Sequence, residues 1–423
     1  MLTLQQIKAD PKLIIERLAV KGFDGQKPIA RVLALDDLRR QLQLKNDNAA
    51  AELNKLAATI GKAMKEGRRD DAEKAKENVA VLKEEQKAIA EELTRTMAEI
   101  ETELLNIPNI PCAAVPAGTS AADNVVEATG GPMPELPENA LPHWDLAAKY
   151  NLIDFELGVK ITGAGFPVYL GKGAKLQRAL IQFFLDEASA AGYLEVQPPY
   201  VVNEASGYGT GQLPDKEGQM YFVNLDGLYL IPTAEVPVTN LYRDVIIPGD
   251  KLPIKNCAYS ACFRREAGSY GKDVRGLNRL HQFDKVEIVR IEKPENSYAA
   301  LEEMKAHVQG LLEKLGLPWH ILRLCGGDMS FTSAITFDFE VYSAAQGRWL
   351  EVSSVSNFET YQANRLKCRY RGEDKKPQLC HTLNGSALAL PRIMAALLEN
   401  NQTPEGIIVP ECLRKYTGFD IIN

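Results

Sequence analysis

Residues 257–291 read CAYSACFRREAGSYGKDVRGLNRLHQFDKVEIVRI, and the fold turns on how they pair. Two strand-like runs flank a loop that carries Gly268, Gly271 and Gly276 among basic residues. The first run ends in Cys262-Phe263-Arg264-Arg265-Glu266, and the second begins at His281 and alternates to Ile291. Such runs form a hairpin. Period-two alternation puts Arg264 and Glu266 on one face, and Phe283 and Glu287 together on one face of the returning strand. The planar fork of an arginine suits a polyphosphate because it donates two hydrogen bonds at once. A phenylalanine face stacks on a base, and carboxylates accept hydrogen bonds from exocyclic or substrate amines. A surface hairpin with solvated charges has the same composition, so the surrounding chain must arbitrate.

Further strands are expected at 219–231, 335–342 and 348–356, beside those at 254–266 and 281–291, and helices at 176–191, 295–315 and 388–400. Short turns or long loops join the strands, without regular β-α-β crossovers. That pattern predicts an α+β domain built on a mainly antiparallel β-sheet flanked by helices. Neither G-x-x-x-x-G-K-[ST] nor G-x-G-x-x-G occurs, which argues against P-loop and dinucleotide-binding sites.

Upstream the chain changes character. Residues 1–25 read as a short helix, with Asp10 as N-cap, Pro11 at the first helical position and Gly22 as the stop. Then Leu35, Leu38, Leu42, Ala49, Leu53, Leu56 and Ile60 repeat at three- and four-residue intervals, as do Ala75, Val79, Leu82, Ile89, Leu93, Ile100 and Leu104. Between them lies KEGRRDD (65–71), where Gly67 is the plausible break. The spacing predicts a long antiparallel α-helical coiled coil, each arm of about 35 residues being roughly 50 Å long. Its tip and approaches are basic, with Lys62, Lys65, Arg68 and Arg69 foremost. Such a bias suits either a solvated face or contact with a phosphate backbone. The prolines of LLNIPNIPCAAVPAG (104–118) end the helical pattern. An N-terminal domain over 1–107, with its arm at about 28–104, a linker over 108–120 and a C-terminal domain over 121–423 follow.

Whole-chain properties agree. With 423 residues, 45% apolar and 25% charged, the chain has room for two or three folded domains. No run is long and apolar enough for a membrane span, and the charged N-terminus is unlike a secretory signal. Seven cysteines without a C-x-x-C pair fit a reduced, cytoplasmic setting and predict no zinc site. A net charge of −7 argues against a protein coated in nucleic acid but does not exclude a local RNA-binding element.

Four clusters place polar residues at the ends of apolar runs. They are Thr233-Ala234-Glu235, the hairpin, Glu351-Val352-Ser353-Ser354, and Asn384-Gly385-Ser386 leading to Arg392. Singly each has an ordinary explanation: Thr233 and Glu235 as helix caps, Glu351 as a paired surface carboxylate, Ser386 as an N-cap. Together they supply arginines for phosphates, an aromatic shelf, oxygen ligands for Mg²⁺ and carboxylates for a small ammonium. That combination fits nucleotidyl transfer, whose catalysis is mostly positioning and charge neutralisation.

Over essentially its full length the chain resembles bacterial seryl-tRNA synthetases, which are class II aminoacyl-tRNA synthetases. Gly192-Tyr193 through Tyr200-Val201 looks like class II motif 1, Phe263-Arg264-Arg265-Glu266 with His281-Gln282-Phe283 like motif 2, and Gly385-Ser386 through Arg392 like motif 3. Sharper are LLNIPN (104–109), HWDL (143–146), TGQLP (210–214), IPTAEV (231–236), REAGS (265–269), RGLNRLHQFDKVE (275–287) and EVSSVSNFETYQANR (351–365). The resemblance implies a homodimer through motif 1 and an arm that binds tRNA(Ser). It implies activation of L-serine by Mg-ATP and transfer of the seryl group to the tRNA 3′ end, and leaves open selenocysteine tRNA as a second substrate. Serine would be held by Thr233, Ala234, Glu235, Glu287 and Ser386. ATP would be held by Arg264, Arg265, Glu266, Arg279, Phe283, Glu351, Val352, Ser353, Ser354 and Arg392, with Arg264 and Arg392 catalytic through their charge. Glu351 and Ser354 would ligate Mg²⁺, although on an ideal strand they point to opposite faces, so a bend is required. The basic loop, Lys272 included, would close over ATP and then meet the acceptor end of tRNA. Arg265 stands where the family more often has serine, and Pro391 where it usually has glycine. Two other readings are disfavoured. A ligase that loads a carrier protein would not need the arm, and a silent coiled-coil protein would not need Arg264, Glu266, Glu351 and Arg392.

Overall fold

The computed structural model describes residues 1–267, 275–373 and 375–423. The expectations for Gly268, Gly271 and Lys272 therefore lie outside the described residues. The two runs of the opening stretch pair antiparallel without interruption, from Phe263 opposite Gln282 to Ile254 opposite Ile291. They belong to an eight-stranded sheet of β1 (Val125–Gly130), β2 (Leu194–Glu195), β3 (Ile254–Phe263), β4 (Gln282–Glu292), β5 (Trp319–Arg323), β6 (Ile335–Ser343), β7 (Arg348–Glu359) and β8 (His381–Ala389). Their spatial order is β1-β5-β6-β7-β8-β4-β3-β2. Every neighbouring pair is antiparallel except β2–β3 at one edge.

Two expectations about the hairpin change. Strand β3 ends at Phe263, and Glu266 has φ 49°, so strand alternation does not extend to Arg264 and Glu266. Strand β4 does not alternate in exposure: it is buried continuously from Lys285 to Glu292. The reason is its central position, covered on both faces. Val286 and Ile288 face a core shared with Leu180 and Phe183 of the helix Gly171–Ala190, Met304 and Val308 of Ser297–Lys314, and Ile393 and Met394 of Leu390–Asn400. Val289 packs on the opposite side with Ala234, Val238 and Ala258. Burying one such large apolar side chain contributes about 1.5–3 kcal/mol, which leaves the polar residues on that second face dependent on local partners. The single strand expected at 219–231 is instead two short ones, Phe222–Val223 and Leu228–Leu230, around a turn.

The chain forms two compact units: Leu2–Ala19 with Phe23–Pro108, and Asn109–Asn423 with Met1 and Val20–Gly22. In the first, helices Gln26–Lys65 and Arg69–Leu105 run antiparallel about a turn in which Gly67 takes φ 77°, a conformation that costs glycine little. The helices have 40 and 37 residues, so the longer spans about 60 Å. Leu35, Leu42, Ala49, Ala75, Ile100 and Leu104 are buried in the seam. Leu53, Leu56, Val79, Leu82 and Ile89 are half-buried, because two helices cover only one side of each other. Leu38 is not in the seam but 36% exposed. The buried position there is Asp36, ion-paired with Lys8 at 2.9 Å and Arg39 at 2.8 Å. The N-terminal segment is two helices, Leu4–Ala9 and Pro11–Val20, because Asp10 breaks the first and caps the second by accepting from the Leu13 N–H.

Candidate active site

The second face of β4 holds a buried polar pocket. Alternation brings Glu287 onto this face, and register places Ser386 of β8 directly opposite it. Thr233, just before the helix Glu235–Asn240, donates to Glu287 Oε2 at 3.2 Å, and Ser386 Oγ does so at 3.5 Å. Lys285 Nζ sits 2.5 Å from the same oxygen. Thr233 Oγ1 also accepts from the Glu235 N–H at 3.2 Å, although the N-cap position itself is Ala234, which has no capping side chain. Gln362, from the helix Thr360–Leu366, donates to Glu235 Oε1 at 2.7 Å, and Thr382 of β8 donates to Gln362 Oε1 at 2.7 Å. The threonine hydroxyl thus orients the amide, whose NH₂ then faces the carboxylate. Burial, and then the charge of Glu287, push the Glu235 carboxyl up to about 7 against the Gln362 hydrogen bond.

At the open end of β4 the groups suit a nucleotide. The Arg264 guanidinium lies over the Phe283 ring, 5.2 Å from its centroid, and its backbone N–H is fixed to the His281 carbonyl at 2.9 Å. Arg279 pairs with Glu266 at 2.8 Å. Arg392, in the first turn of Leu390–Asn400, donates to the Asn278 carbonyl at 2.9 Å and to the Glu351 carbonyl at 2.7 Å. Pro391 occupies that same turn, where a missing N–H costs nothing.

The bend that Glu351 and Ser354 require is present. Pairing of β6 with β7 jumps from Phe339 opposite Ser353 to Glu340 opposite Glu351, so Val352 is a bulge. Ser354 lies opposite Asp338 and Glu351 opposite Glu340. Asp338 and Glu340 are two apart on one strand, so all four side chains share a face. Burial and the charge of Glu351 hold Asp338 well above the usual carboxylate range, and Ser354 is hydrogen-bonded to it. Among the described residues Asp338 Oδ1 is buried without a hydrogen-bond partner. No group of three or more His, Cys, Asp or Glu side chains could hold a metal alone among those residues. An all-oxygen donor set of this kind suits Mg²⁺, which takes one or two carboxylates and completes its shell with phosphates and water.

Not every expected residue reaches these clusters. Val352 is core, and Ser353 donates to the Ser386 carbonyl at 2.5 Å. Ala234 packs against Val238, and the Arg265 side chain is exposed. In the other unit Lys62, Lys65, Arg68 and Arg69 are all exposed, but Arg68 pairs with Glu66 and with Asp71. Residues not anticipated include Lys285, Gln362 and Thr382. Period-two spacing from Glu287 and Ser386 points to Lys285 and Thr382, whereas no local signal points to Gln362. No described helix is long and apolar enough to cross a membrane.

A family model described as the seryl-tRNA synthetase N-terminal domain matches residues 1–111, and the tRNA synthetase class II core domain (G, H, P, S and T) matches residues 221–401. The serine–tRNA ligase of Salinibacter ruber is 51% identical over 421 residues, covering 99% of this chain and 98% of the relative. That of Chlorobaculum parvum is 46% identical over 433 residues and covers 100% of both. The crystal structure of seryl-tRNA synthetase from Pyrococcus horikoshii complexed with ATP superposes with a TM-score of 0.93 at 32% identity, covering 100% of this chain and 99% of that one.

Proposed function

We infer, from the premise that this chain belongs to the seryl-tRNA synthetase family of class II aminoacyl-tRNA synthetases, that it is a serine–tRNA ligase working through the two clusters on β4. The observation that carries the reading is the buried Glu287, ringed by the hydroxyls of Thr233 and Ser386 with the half-buried Glu235 beside it, next to the half-buried group Arg264, Phe283 and Arg392. One end suits a small hydroxylated ammonium, the other a nucleotide.

In this reading Glu235 and Glu287 take the serine ammonium, and Thr233 and Ser386 complete a polar wall around its hydroxyl. Arg264 grips the α-phosphate, Phe283 stacks on adenine, Glu266 accepts from its amine, and Arg279 and Arg392 take the outer phosphates. Glu351 and Ser354, with Asp338 accepting the Ser354 proton, are suited to hold Mg²⁺, whose contribution is neutralisation of phosphate charge. A serine carboxylate oxygen attacks the α-phosphorus, the bond to the β,γ-phosphates breaks, and pyrophosphate departs. The 3′-terminal ribose hydroxyl of tRNA(Ser) then attacks the seryl carbonyl and AMP leaves. No side chain becomes covalently attached; rate comes from positioning and from charge placed where charge develops. A second copy would cover the β2 edge, where Leu194 is 67% exposed, and seven free cysteines suit a reduced cytoplasm.

ATP–pyrophosphate exchange across all twenty amino acids, followed by charging of total tRNA, tests this. Serine alone should support rapid exchange. Alanine should fall by roughly four orders of magnitude, because it leaves buried polar groups unpaired. Preference for another amino acid, or exchange without tRNA charging, would overturn the assignment.

A pH dependence follows from Glu235. The unfolded carboxyl titrates near 4.5 and the folded one at about 7. The folded chain therefore holds more protons within that window and loses stability as pH rises through it. An incoming ammonium needs the ionised form. The serine KM is expected to fall by about tenfold between about pH 6 and pH 8. Glu235→Gln should raise KM and flatten the profile. A flat profile in the native protein would remove Glu235 from the ammonium site.

A further inference from the structure

The HWDL run at 143–146 takes no part in the chemistry above, yet it is wired into it. His143 opens the short helix His143–Lys149 and is fully buried. Its Nδ1 lies 2.7 Å from Glu399 Oε1, and its Nε2 accepts a 2.9 Å hydrogen bond from the Leu277 N–H. A carboxylate only accepts and an amide N–H only donates, so this neutral imidazole carries its proton on Nδ1. Both of its nitrogens are thereby committed, one of them to the segment 275–280 that leads into β4.

Three more observations bear on the same segment. The Arg275 guanidinium lies 4.4 Å from the centroid of the Trp144 ring. Gly276, with φ 64°, passes so close to the imidazole that a Cβ there would come within 2.3 Å of His143 Nε2. Gln346 Nε2 donates to Glu399 Oε1 at 3.2 Å, and Gln346 Oε1 accepts from Asn278 Nδ2 at 3.0 Å. The carbonyl of that Asn278 is the one that accepts from Arg392 Nε at 2.9 Å. One buried carboxylate, Glu399, thus holds Leu277 through His143, and Asn278 and Arg392 through Gln346. A histidine that merely filled the core would have no reason to terminate on the flank of the nucleotide site.

We propose that His143 and Trp144 are positioning residues of the ATP site: they dock the backbone of residues 275–278 so that Arg279 and Arg392 are presented to the outer phosphates. The proposal rests on the ATP site assigned under the proposed function. Neither residue is among those assigned to substrate, so each acts through the segment it holds.

An amide can replace either ring nitrogen, and the two replacements separate the roles. His143→Asn keeps a donor near the Nδ1 position and loses the acceptor for Leu277; His143→Gln puts an amide oxygen near Nε2. In ATP–pyrophosphate exchange, His143→Asn should raise the KM for ATP about tenfold, the cost of a stranded buried N–H, with the KM for serine unchanged. His143→Gln should restore most of it. Trp144→Ala, which removes only the stacking surface, should raise the ATP KM a few-fold, and Trp144→Phe should not. Amide hydrogen exchange over 275–280 supplies a readout independent of activity: it should accelerate in His143→Asn and Trp144→Ala and stay near the parent rate in His143→Gln. Unchanged exchange over that segment in variants that melt like the parent would overturn the docking role, whatever the catalytic results. Altered segment exchange with no serine-dependent activity in the parent would instead overturn the proposed function and leave the docking intact. Equal losses for serine and ATP, without rescue by His143→Gln, would make His143 a core residue only.

Discussion

Arg264→Ala is expected to abolish serine-dependent ATP–pyrophosphate exchange, with a loss of roughly two to three orders of magnitude in kcat. The expectation comes from where the side chain sits and what it costs the fold to remove it. The backbone of Arg264 is held by the His281 carbonyl, and among the described residues the side chain makes one long hydrogen bond, from Nε to the Pro232 carbonyl at 3.4 Å. Truncation therefore leaves the hairpin intact, and stability should change by less than about 1 kcal/mol. In the proposed reading, what is lost is a bidentate donor at the point where the α-phosphate gathers charge as serine attacks. The guanidinium also lies over Phe283, so its removal uncovers the aromatic shelf and should raise the KM for ATP as well. Arg264→Lys separates the two contributions: it keeps a charge but not the planar fork, and should recover only part of the rate. Near-normal exchange by Arg264→Ala in protein that melts like the parent would remove Arg264 from the phosphate site and, with it, the functional reading of the hairpin.

The hairpin shows how far residue pattern alone reaches. Its strands were legible because 254–263 and 282–292 are dense in apolar and β-branched residues and bounded by a glycine-bearing basic loop. The burial of both faces of β4 was not, because that depends on helices gathered from separate parts of the chain, Gly171–Ala190, Ser297–Lys314 and Leu390–Asn400 on one face and Glu235–Asn240 on the other. Ideal alternation misled twice, in opposite directions. It predicted a shared face for Arg264 and Glu266, which the end of β3 and the positive φ of Glu266 remove. It set Glu351 and Ser354 on opposite faces, and the bulge at Val352 unites them. A bulge of one residue leaves no reliable mark in a single sequence, since Val is as good in a regular strand as beside an irregular one. Gln362 and Glu399 were illegible for a further reason: each acts through a partner brought close by tertiary folding, and a buried polar side chain looks in sequence like any surface one. Repeat spacing in the arm was read well except at Leu38, where the buried position is the ion-paired Asp36.

Deleting residues 30–104 and closing the gap with a short glycine-rich linker is expected to spare adenylate formation and to destroy transfer to tRNA. Every residue assigned to serine, ATP or Mg²⁺ lies within Asn109–Asn423, and none of the deleted segment belongs to that unit. The two helix stems lie side by side near the cut, since Arg31 and Glu99 pair across them at 2.8 Å, so a short linker can join them. Exchange should therefore stay within about twofold of the parent, because the deletion removes nothing from the unit that carries the assigned residues. Charging should fall by about three orders of magnitude in kcat/KM, the scale of losing several phosphate contacts, and the intact protein's charging should weaken steeply with salt while its exchange does not. The tip refines the test. Lys62, Lys65 and Arg69 present cations to solvent, whereas Arg68 is occupied by Glu66 and Asp71. Joint replacement of Lys62, Lys65 and Arg69 by alanine should weaken charging and reduce its salt slope, and Arg68→Ala should do so far less. A truncated protein that charges tRNA normally would end the arm's proposed role. Equal effects from Arg68 and its neighbours would mean that the tip rearranges its ion pairs when it meets the nucleic acid.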